Sequence, residues 1–201
     1  MKVAVCGDSF MAIDPNAKGK HFSEMLDFDV TNYAYPGVGN IDICFQIQQA
    51  IHDNVDFVLI GTTDPARMIM PITDVDDKGI SYINFRNGPD KKYYSATIPT
   101  FIGEEDDLKN VLPLSKAQRD AAKQYFVHIF DRDVNTLIDE WCLKYWYSQL
   151  QANGIEYKLL DKTEFCIYTY KQNGVDDNWT FHTDFATQAL AAEILNRELS
   201  Q

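Results

Sequence analysis

Short apolar runs and helical patterns alternate along the chain from Lys2 to Ile60. Three apolar runs each end at turn residues, and this pattern predicts strands. The last run is almost continuously apolar, which is typical of a strand buried on both faces of a parallel sheet. Between the runs, apolar residues recur at helical spacing. The predicted strands are Lys2–Cys6, Val30–Ala34 and Val55–Ile60, and the predicted helices are Lys20–Leu26 and Asn40–Asn54, with Asn40 as the N-cap.

The middle of the chain lacks a clear period. From about residue 67 to residue 113, charges, glycines and prolines interrupt short β-like runs such as Ile80–Phe85. A stretch of this length without clear elements often forms a lid or a specificity insert. A long helix is then predicted from a capping box at Ser115, with an interruption near Asp131 and an end at Asn153-Gly154. Its predicted buried stripe consists of Phe126, Phe130, Val134, Leu137 and Trp141.

Strands and helices continue to alternate after this long helix. Ile155–Leu160 and Phe165–Tyr170 are predicted strands, and Phe185–Leu199 is the predicted terminal helix. This alternation predicts the α/β class, as a three-layer α/β/α sandwich with a mostly parallel central sheet. A chain of 201 residues fits one domain of ordinary size. We therefore expect a single domain over residues 1–201, with an irregular insert at about 67–113.

The charge balance narrows the set of partners. The chain carries 18 Lys and Arg against 30 Asp and Glu, a net charge of -12, and such a surface repels phosphate backbones and anionic membranes. No apolar stretch approaches the roughly 20 residues of a membrane span, and Val3–Cys6 is too short for the core of a signal peptide. We therefore expect a cytoplasmic protein without nucleic-acid or membrane partners. Free thiols rather than disulfides or metal ligands are expected at Cys6, Cys44, Cys142 and Cys166.

Polar residues follow the carboxyl ends of the predicted strands, where open α/β sheets bind their ligands. Ser9 follows the first strand, Gly37 stands in the loop after the second, and Thr63 follows the third. His182 lies just before the terminal helix. In a parallel sheet these loops would supply a nucleophile, a base and hydrogen-bond donors, which acyl transfer needs. Taken alone, the Gly-Asp-Ser sequence is an ordinary turn; only the combination favours a catalytic Ser9.

These residues, in this order, resemble the SGNH (GDSL-type) hydrolase superfamily of esterases and lipases, whose fold is a flavodoxin-like three-layer sandwich. Gly7–Phe10 resembles its first motif, Asn32–Gly37 its second and His182–Asp184 its last. The resemblance implies that Ser9 is the nucleophile and His182 the base. It also implies that the N–H groups of Ser9 and Gly37 bind the oxyanion. It calls for no metal or organic cofactor.

The third motif of the family, Gly-x-Asn-Asp, is altered in this chain. Gly61–Asp64 matches it with Thr63 at the position of the asparagine, whose side chain donates to the oxyanion in the family. A threonine hydroxyl is shorter, and the loss of one oxyanion donor costs about 10²–10³ in rate. Asn40 is a candidate replacement donor, and the competing interpretation of Asn40 is the helix N-cap.

The acid of the triad is the second departure. The family places an aspartate three residues before the histidine, where this chain has Trp179. Asp177 is the first candidate to orient the His182 imidazole, with Asp176 and Asp184 as alternatives. A Ser-His pair without such a carboxylate acts more slowly, because the carboxylate fixes the tautomer of the histidine.

The sequence thus predicts an SGNH-type serine esterase or deacylase for a small acyl ester, such as an acetyl ester, on a small molecule or a carbohydrate. The insert, with Tyr93 and Tyr94, would cover the site and select the substrate. The competing hypothesis is an SGNH-like fold that acts as a binding or assembly module with little or no catalysis, and the two departures motivate it.

A third hypothesis is a flavodoxin-like binder of phosphates or nucleotides at the same loops. The pair Gly37-Val38-Gly39 suggests a dinucleotide loop, but Asp42 stands where the third glycine is required. No role is predicted for the remaining histidines, His21, His52 and His128.

Overall fold

A computed structural model of the chain describes residues 1–13, 19–65, 67–71, 93–97, 116–160 and 185–200. The strands in these residues are β1 (Lys2–Gly7), β2 (Asp29–Asn32), β3 (Phe57–Gly61), β4 (Arg67–Pro71), β5 (Tyr93–Thr97) and β6 (Glu156–Leu159). The α-helices are α1 (Asn40–His52), α2 (Lys116–His128), α3 (Arg132–Ala152) and α4 (Phe185–Leu199), and a short 3-10 helix spans Phe22–Glu24.

The central sheet has the strand order β2-β1-β3-β6, and each neighbouring pair is parallel. Val5 lies opposite Asn32 of β2 and Leu59 of β3, and Gly7 lies opposite Gly61. The chain thus adds β2 on one side of β1 and β3 on the other. This reversal of strand order is the switch point at which doubly wound sheets bind ligands.

Alternate residues of the central strands face opposite sides of the sheet and build two cores. One core contains Val3, Val5 and Leu59, packed with Ala191, Ala192 and Leu195 of α4. The other contains Ala4, Cys6, Val58 and Ile60, packed with Ile43 and Ile47 of α1 and Leu150 of α3. Helices therefore cover both faces, and the predicted three-layer α/β/α fold with a parallel sheet is confirmed. Each fully buried aliphatic side chain of this kind stabilises the fold by about 1.5–3 kcal/mol.

Three of the four cysteines fall within the described residues. Cys6 and Cys44 are buried free thiols, and Cys142 is a half-buried one. Burial raises the pKa of the Cys6 and Cys44 thiols, so both remain protonated at neutral pH. The prediction of free thiols is confirmed for these three residues; Cys166 lies outside the described ranges.

The predicted interruption of the long helix is confirmed, since α2 ends at His128 and α3 begins at Arg132. The Asp131 carboxylate caps α3 by accepting hydrogen bonds from the N–H groups of Asp133 (2.9 Å) and Val134 (3.0 Å). After α3, Gly154 has a φ of +69°, the left-handed conformation that ends many helices. Among the helices in the described ranges, none has the length and apolarity to cross a membrane.

The apolar stripe predicted for the long helix is wrong over α3. Phe126 of α2 is buried, but Val134, Leu137 and Trp141 are 54%, 45% and 61% exposed. Val134, Leu137 and Trp141 share one side of α3, but the break at Asp131 separates them from Phe126, and none of the described elements buries that side. α3 instead contributes Leu143 and Leu150 to the interior, and it packs against α1.

Part of the segment predicted as irregular is regular. β4 and β5 pair antiparallel in a separate two-stranded sheet, with Ile69 opposite Ser95. The lack of a clear period there had predicted no strand at either segment. Three predictions concern residues outside the described ranges: the remainder of the insert, the helix cap at Ser115 and the strand at Phe165–Tyr170.

Candidate active site

Three loops meet at the carboxyl edge of the central sheet because β1 lies between β2 and β3. The Ser9 turn follows β1, the Gly37 loop follows β2 and the Thr63 loop follows β3. Contacts tie the loops together: the Tyr35 N–H donates to the Gly7 carbonyl (3.2 Å), and the Thr63 hydroxyl donates to Asp8 Oδ2 (2.6 Å). The predicted convergence of these loops is therefore present.

Asp8 shapes the turn that presents Ser9. Its carboxylate is fully buried, and Oδ1 accepts a hydrogen bond from the Phe10 N–H (3.1 Å). Its backbone carbonyl accepts from the N–H groups of Met11 and Ala12, both at 3.0 Å. A side-chain acceptor two residues before its donor is the usual chemistry of an Asx turn. Ser9 itself is half-buried.

The two glycines at the ends of β1 and β3 make room for Met11. A Cβ added at Gly7 would lie 2.3 Å from Met11 Cγ, and one added at Gly61 would lie 2.5 Å from the same atom. Because Gly7 and Gly61 are register partners, the Met11 side chain lies across both strand ends. From the sequence, a glycine in the loop after β3, as in the Gly37 loop, is expected to let backbone N–H groups approach a ligand. At Gly61 the space is filled by the protein itself.

Two carboxamide side chains of α1 hold the same strand ends. Gln46 bonds both backbone groups of Gly7: the Gly7 N–H donates to Oε1 (2.6 Å), and Nε2 donates to the Gly7 carbonyl (3.2 Å). Asn40 does the same for Thr63, accepting from its N–H (2.8 Å) and donating to its carbonyl (2.9 Å). We call these two interactions the carboxamide clamps. They bond backbone groups of Gly7 and Thr63 at the edge where the strands end, and the Gly7 carbonyl also accepts from the Tyr35 N–H.

The structure changes the interpretation of Asn40. The predicted N-cap role is wrong: α1 begins at Asn40, and Gly39 holds the N-cap position, where its N–H donates to Asp42 Oδ2 (2.7 Å). The Asn40 amide donates to the Thr63 carbonyl and to Asp139 Oδ2 (2.8 Å), which uses both of its hydrogens. Desolvation by burial raises the pKa of Asp139, and the bond from Asn40 opposes that shift.

Gly37 has a backbone conformation that only glycine adopts easily. Its φ is +84°, and a Cβ added to it would meet no atom within 4 Å. The glycine is thus required by its backbone angle and not by crowding. Within the described part of the chain, its N–H has no hydrogen-bond partner. Backbone N–H groups in turns with a left-handed residue form anion-binding concavities in many proteins.

A buried histidine, His21, packs next to the Ser9 turn and belongs to a hydrogen-bond network that contacts its backbone. His21 is 1% exposed, and its Nδ1 accepts from the Ser23 N–H (3.3 Å) and lies 2.8 Å from Ser23 Oγ. Nε2 therefore carries the hydrogen, and it faces the Phe10 carbonyl at 3.5 Å. Asn32 Nδ2 joins the network by donating to Ser23 Oγ (3.1 Å) and to the Met11 carbonyl (2.8 Å). Burial lowers the pKa of His21 to about 4, so this imidazole is neutral at pH 7.

Arg67 connects two of the three loops. Its Nη1 donates to the Val38 carbonyl (2.5 Å), and its Nη2 lies 3.5 Å from Asp8 Oδ2. The Arg67 side chain is only 15% exposed. Its position between the residue before Ser9 and the residue after Gly37 was not predicted, because Arg67 opens a segment without a sequence pattern.

The remaining predicted site residues lie outside the described part of the chain. These are His182 and the aspartates proposed to orient it, Asp177, Asp176 and Asp184. Ser9, Gly37, Asn40 and Thr63 are described, and all four are at the carboxyl edge. Their chemical roles stay predictions. No group of three or more metal-ligating side chains is present within the described ranges.

Sequence reasoning missed Gln46, Met11 and Arg67. Gln46 carried a signal, since it stands between Ile43 and Ile47 on the side of α1 that faces the sheet, where a glutamine requires a partner. The position of Met11 had no signal in the sequence, because the glycines that leave room for its side chain, Gly7 and Gly61, lie in two strands. His21 was assigned no role, although its burial ties it to the Ser9 turn.

Comparisons with known proteins add a distant likeness. No family model matches the chain, and no curated protein matches it. Among solved structures, it is similar to a proposed lipolytic protein of the G-D-S-L family from Desulfitobacterium hafniense DCB-2. The identity is 13%, the TM-score is 0.42, and the match covers 98% of each chain.

Proposed function

We propose that the protein is a serine ester hydrolase of the SGNH type, acting on a small acyl ester of a small molecule or a carbohydrate. The convergence of the Ser9 turn, the Gly37 loop and the Thr63 loop at the switch point of the sheet supports this proposal most directly. The motif order that resembles the SGNH superfamily supports it independently.

The proposed reaction has two steps. Ser9 Oγ attacks the ester carbonyl while His182 takes the hydroxyl proton, and the same histidine returns a proton to the departing alcohol. Water then attacks the acyl-serine, with His182 as base, and releases the carboxylic acid. Asp177 is proposed to orient the imidazole, and the N–H groups of Ser9 and Gly37 to bind the oxyanion in both steps.

A weakly active or inactive binding module is the second candidate, and one observation favours it. The Thr63 hydroxyl hydrogen is donated to Asp8, and both amide hydrogens of Asn40 are donated to other groups. Neither side chain offers a hydrogen to an oxyanion in this arrangement. The oxyanion is then stabilised by backbone N–H groups alone. The absence of one side-chain donor lowers the rate by about 10²–10³-fold.

Hydrolysis of p-nitrophenyl acetate by the native protein and by Ser9→Ala tests the proposal. We expect Ser9→Ala to reduce kcat/KM by about 10³-fold or more. A fluorophosphonate probe, in which the serine oxygen bonds phosphorus and displaces fluoride ion, should modify Ser9 in the native protein and leave Ser9→Ala unmodified. Asp177→Asn should lower kcat by about 10²–10⁴-fold if that carboxylate orients the histidine.

Equal rates for the native protein and Ser9→Ala would contradict the esterase proposal. In that case, the Tm of both proteins would be measured with an acetylated sugar. The same rise in Tm for both would support the binding module.

A further inference from the structure

We propose that Arg67 is a positioning residue of this site. Its guanidinium holds the Ser9 turn and the Gly37 loop at a fixed separation, so that the N–H groups of Ser9 and Gly37 bind the same oxyanion. The inference rests on the proposed esterase function and adds a residue that neither the sequence patterns nor the resemblance assigns.

The contacts of Arg67 reach both loops through one rigid group. Nη1 donates to the Val38 carbonyl (2.5 Å), and Val38 directly follows Gly37. Nη2 lies 3.5 Å from Asp8 Oδ2, and Asp8 directly precedes Ser9. Because the guanidinium is planar, its two nitrogens hold the Val38 carbonyl and the Asp8 carboxylate in a fixed relation, in addition to the bond from the Tyr35 N–H to the Gly7 carbonyl.

Burial and charge make this bridge hard to replace. The Asp8 carboxylate is fully buried, and a buried carboxylate requires a cation or several hydrogen bonds. Among the described residues, Arg67 is the cation in contact with it. Lysine carries the same charge but presents a single nitrogen, so it cannot hydrogen-bond Val38 through one nitrogen and pair with Asp8 through a second one.

The site needs such a bridge because its side-chain donors are engaged. Thr63 and Asn40 donate their hydrogens to Asp8, the Thr63 carbonyl and Asp139. Oxyanion stabilisation then depends on backbone N–H groups from two separate loops. Donors of this kind are effective only when both lie about 3 Å from the position of the developing charge.

The test uses Arg67→Lys and the double variant Asp8→Asn/Arg67→Met, which leaves no buried charge unpaired. Arg132→Met is the matched control, because Arg132 bonds Asp64 (2.9 Å) in an exposed ion pair near the same edge. For p-nitrophenyl acetate we expect kcat to fall by about 10- to 100-fold in both Arg67 variants, with KM changed by less than about threefold. The control should retain the native values.

A trifluoromethyl ketone, which forms a tetrahedral adduct with an active serine, separates positioning from mere loss of fold. Misplaced donors raise its Ki by about the same factor as they lower kcat/KM, because the adduct resembles the transition state. A smaller folded fraction lowers kcat and leaves Ki unchanged. Unchanged kcat and Ki, or reduced kcat with native Ki, would overturn the inference.

Ser9→Ala, measured in parallel, distinguishes failure of the inference from failure of the proposed function. If Ser9→Ala hydrolyses the ester as fast as the native protein, the proposed esterase function is contradicted. Amide hydrogen exchange then tests the structural role of Arg67 by itself. Exchange at the hydrogen-bonded amides of Phe10, in the Ser9 turn, and Tyr35, in the Gly37 loop, should then be about tenfold faster in Arg67→Lys and native-like in Arg132→Met. Equal exchange in all three proteins would refute the bridge.

Discussion

Among the described residues, Asp8 joins three parts of the site: the Ser9 turn, the Thr63 loop and Arg67. Oδ1 fixes the Phe10 N–H in the turn, and Oδ2 accepts the Thr63 hydroxyl and faces Arg67. The turn role follows from local sequence, since aspartate commonly bonds backbone two residues ahead. The bond to Thr63 spans 55 residues of chain and has no local pattern to reveal it.

At the residue scale, the strand-end glycines yield a test by double mutation. The three described atoms nearest to a Cβ at Gly61 all belong to the Met11 side chain, with Cγ at 2.5 Å and Sδ at 2.8 Å. We expect Gly61→Ala to lower the free energy of unfolding by about 1–3 kcal/mol through overpacking. In the Met11→Ala background the same substitution should cost at least about 1 kcal/mol less, as measured by urea denaturation.

Gly7→Ala is the control for this cycle. Its Cβ would also lie 2.7 Å from Met11 Cβ and 2.9 Å from the Gly61 carbonyl oxygen, and neither atom is removed by Met11→Ala. The cost of Gly7→Ala should therefore persist in both backgrounds. Relief of equal size at both glycines would contradict the proposed packing.

His21 predicts a loss of stability in mild acid. Burial lowers its pKa in the folded protein to about 4, from 6.5 for the free group. The unfolded chain therefore binds the proton first as the pH falls, and the free energy of unfolding decreases between about pH 6.5 and pH 4. The full change is about 3 kcal/mol.

The measurement is urea denaturation at several pH values for the native protein and His21→Gln. The variant should lack this part of the pH dependence, whereas His128→Gln, which replaces an exposed histidine, should keep it. An unchanged slope in His21→Gln would show that other groups cause the acid sensitivity.

At the scale of elements, periodicity predicted where helices and strands lie better than it predicted which faces are buried. The terminal helix has the predicted bounds, Phe185–Leu199, and the core strands differ from prediction by one or two residues. The stripe containing Trp141 was wrong because periodicity identifies residues that share a face, not what covers that face. β4 was missed because Met-Ile-Met has no polar alternation.

The clamp by Gln46 gives the element-scale prediction. Gln46→Ala leaves the Gly7 N–H without its acceptor at a buried position, and we expect the free energy of unfolding to fall by about 1–3 kcal/mol. Gln48→Ala changes the same residue type in the same helix at an exposed position and should change stability by less than about 0.5 kcal/mol. Equal effects of the two substitutions, by chemical denaturation, would contradict the clamp.

At the scale of the whole molecule, the fold could be predicted from the sequence and the site only in part. Parallel strands place the ends of β1, β2 and β3 at one edge, so the neighbourhood of Ser9, Gly37 and Thr63 follows from strand order. Which groups accept the hydrogens of Asn40 and Thr63 does not follow, because those acceptors lie 23, 55 and 99 residues away along the chain. Patterns of neighbouring residues do not predict contacts between residues that are far apart in the sequence.

The carboxamide clamps have a consequence for the dynamics of the protein. Gln46 and Asn40 belong to one helix, so any fluctuation that detaches α1 releases the ends of β1 and β3 together. The Gly7 and Thr63 amide hydrogens should then exchange with a common opening free energy and the same dependence on denaturant. Separate dependences in native-state exchange would show that the two ends open independently. With a shared opening, the edge around Ser9 behaves as one cooperative unit, and its loops become accessible together.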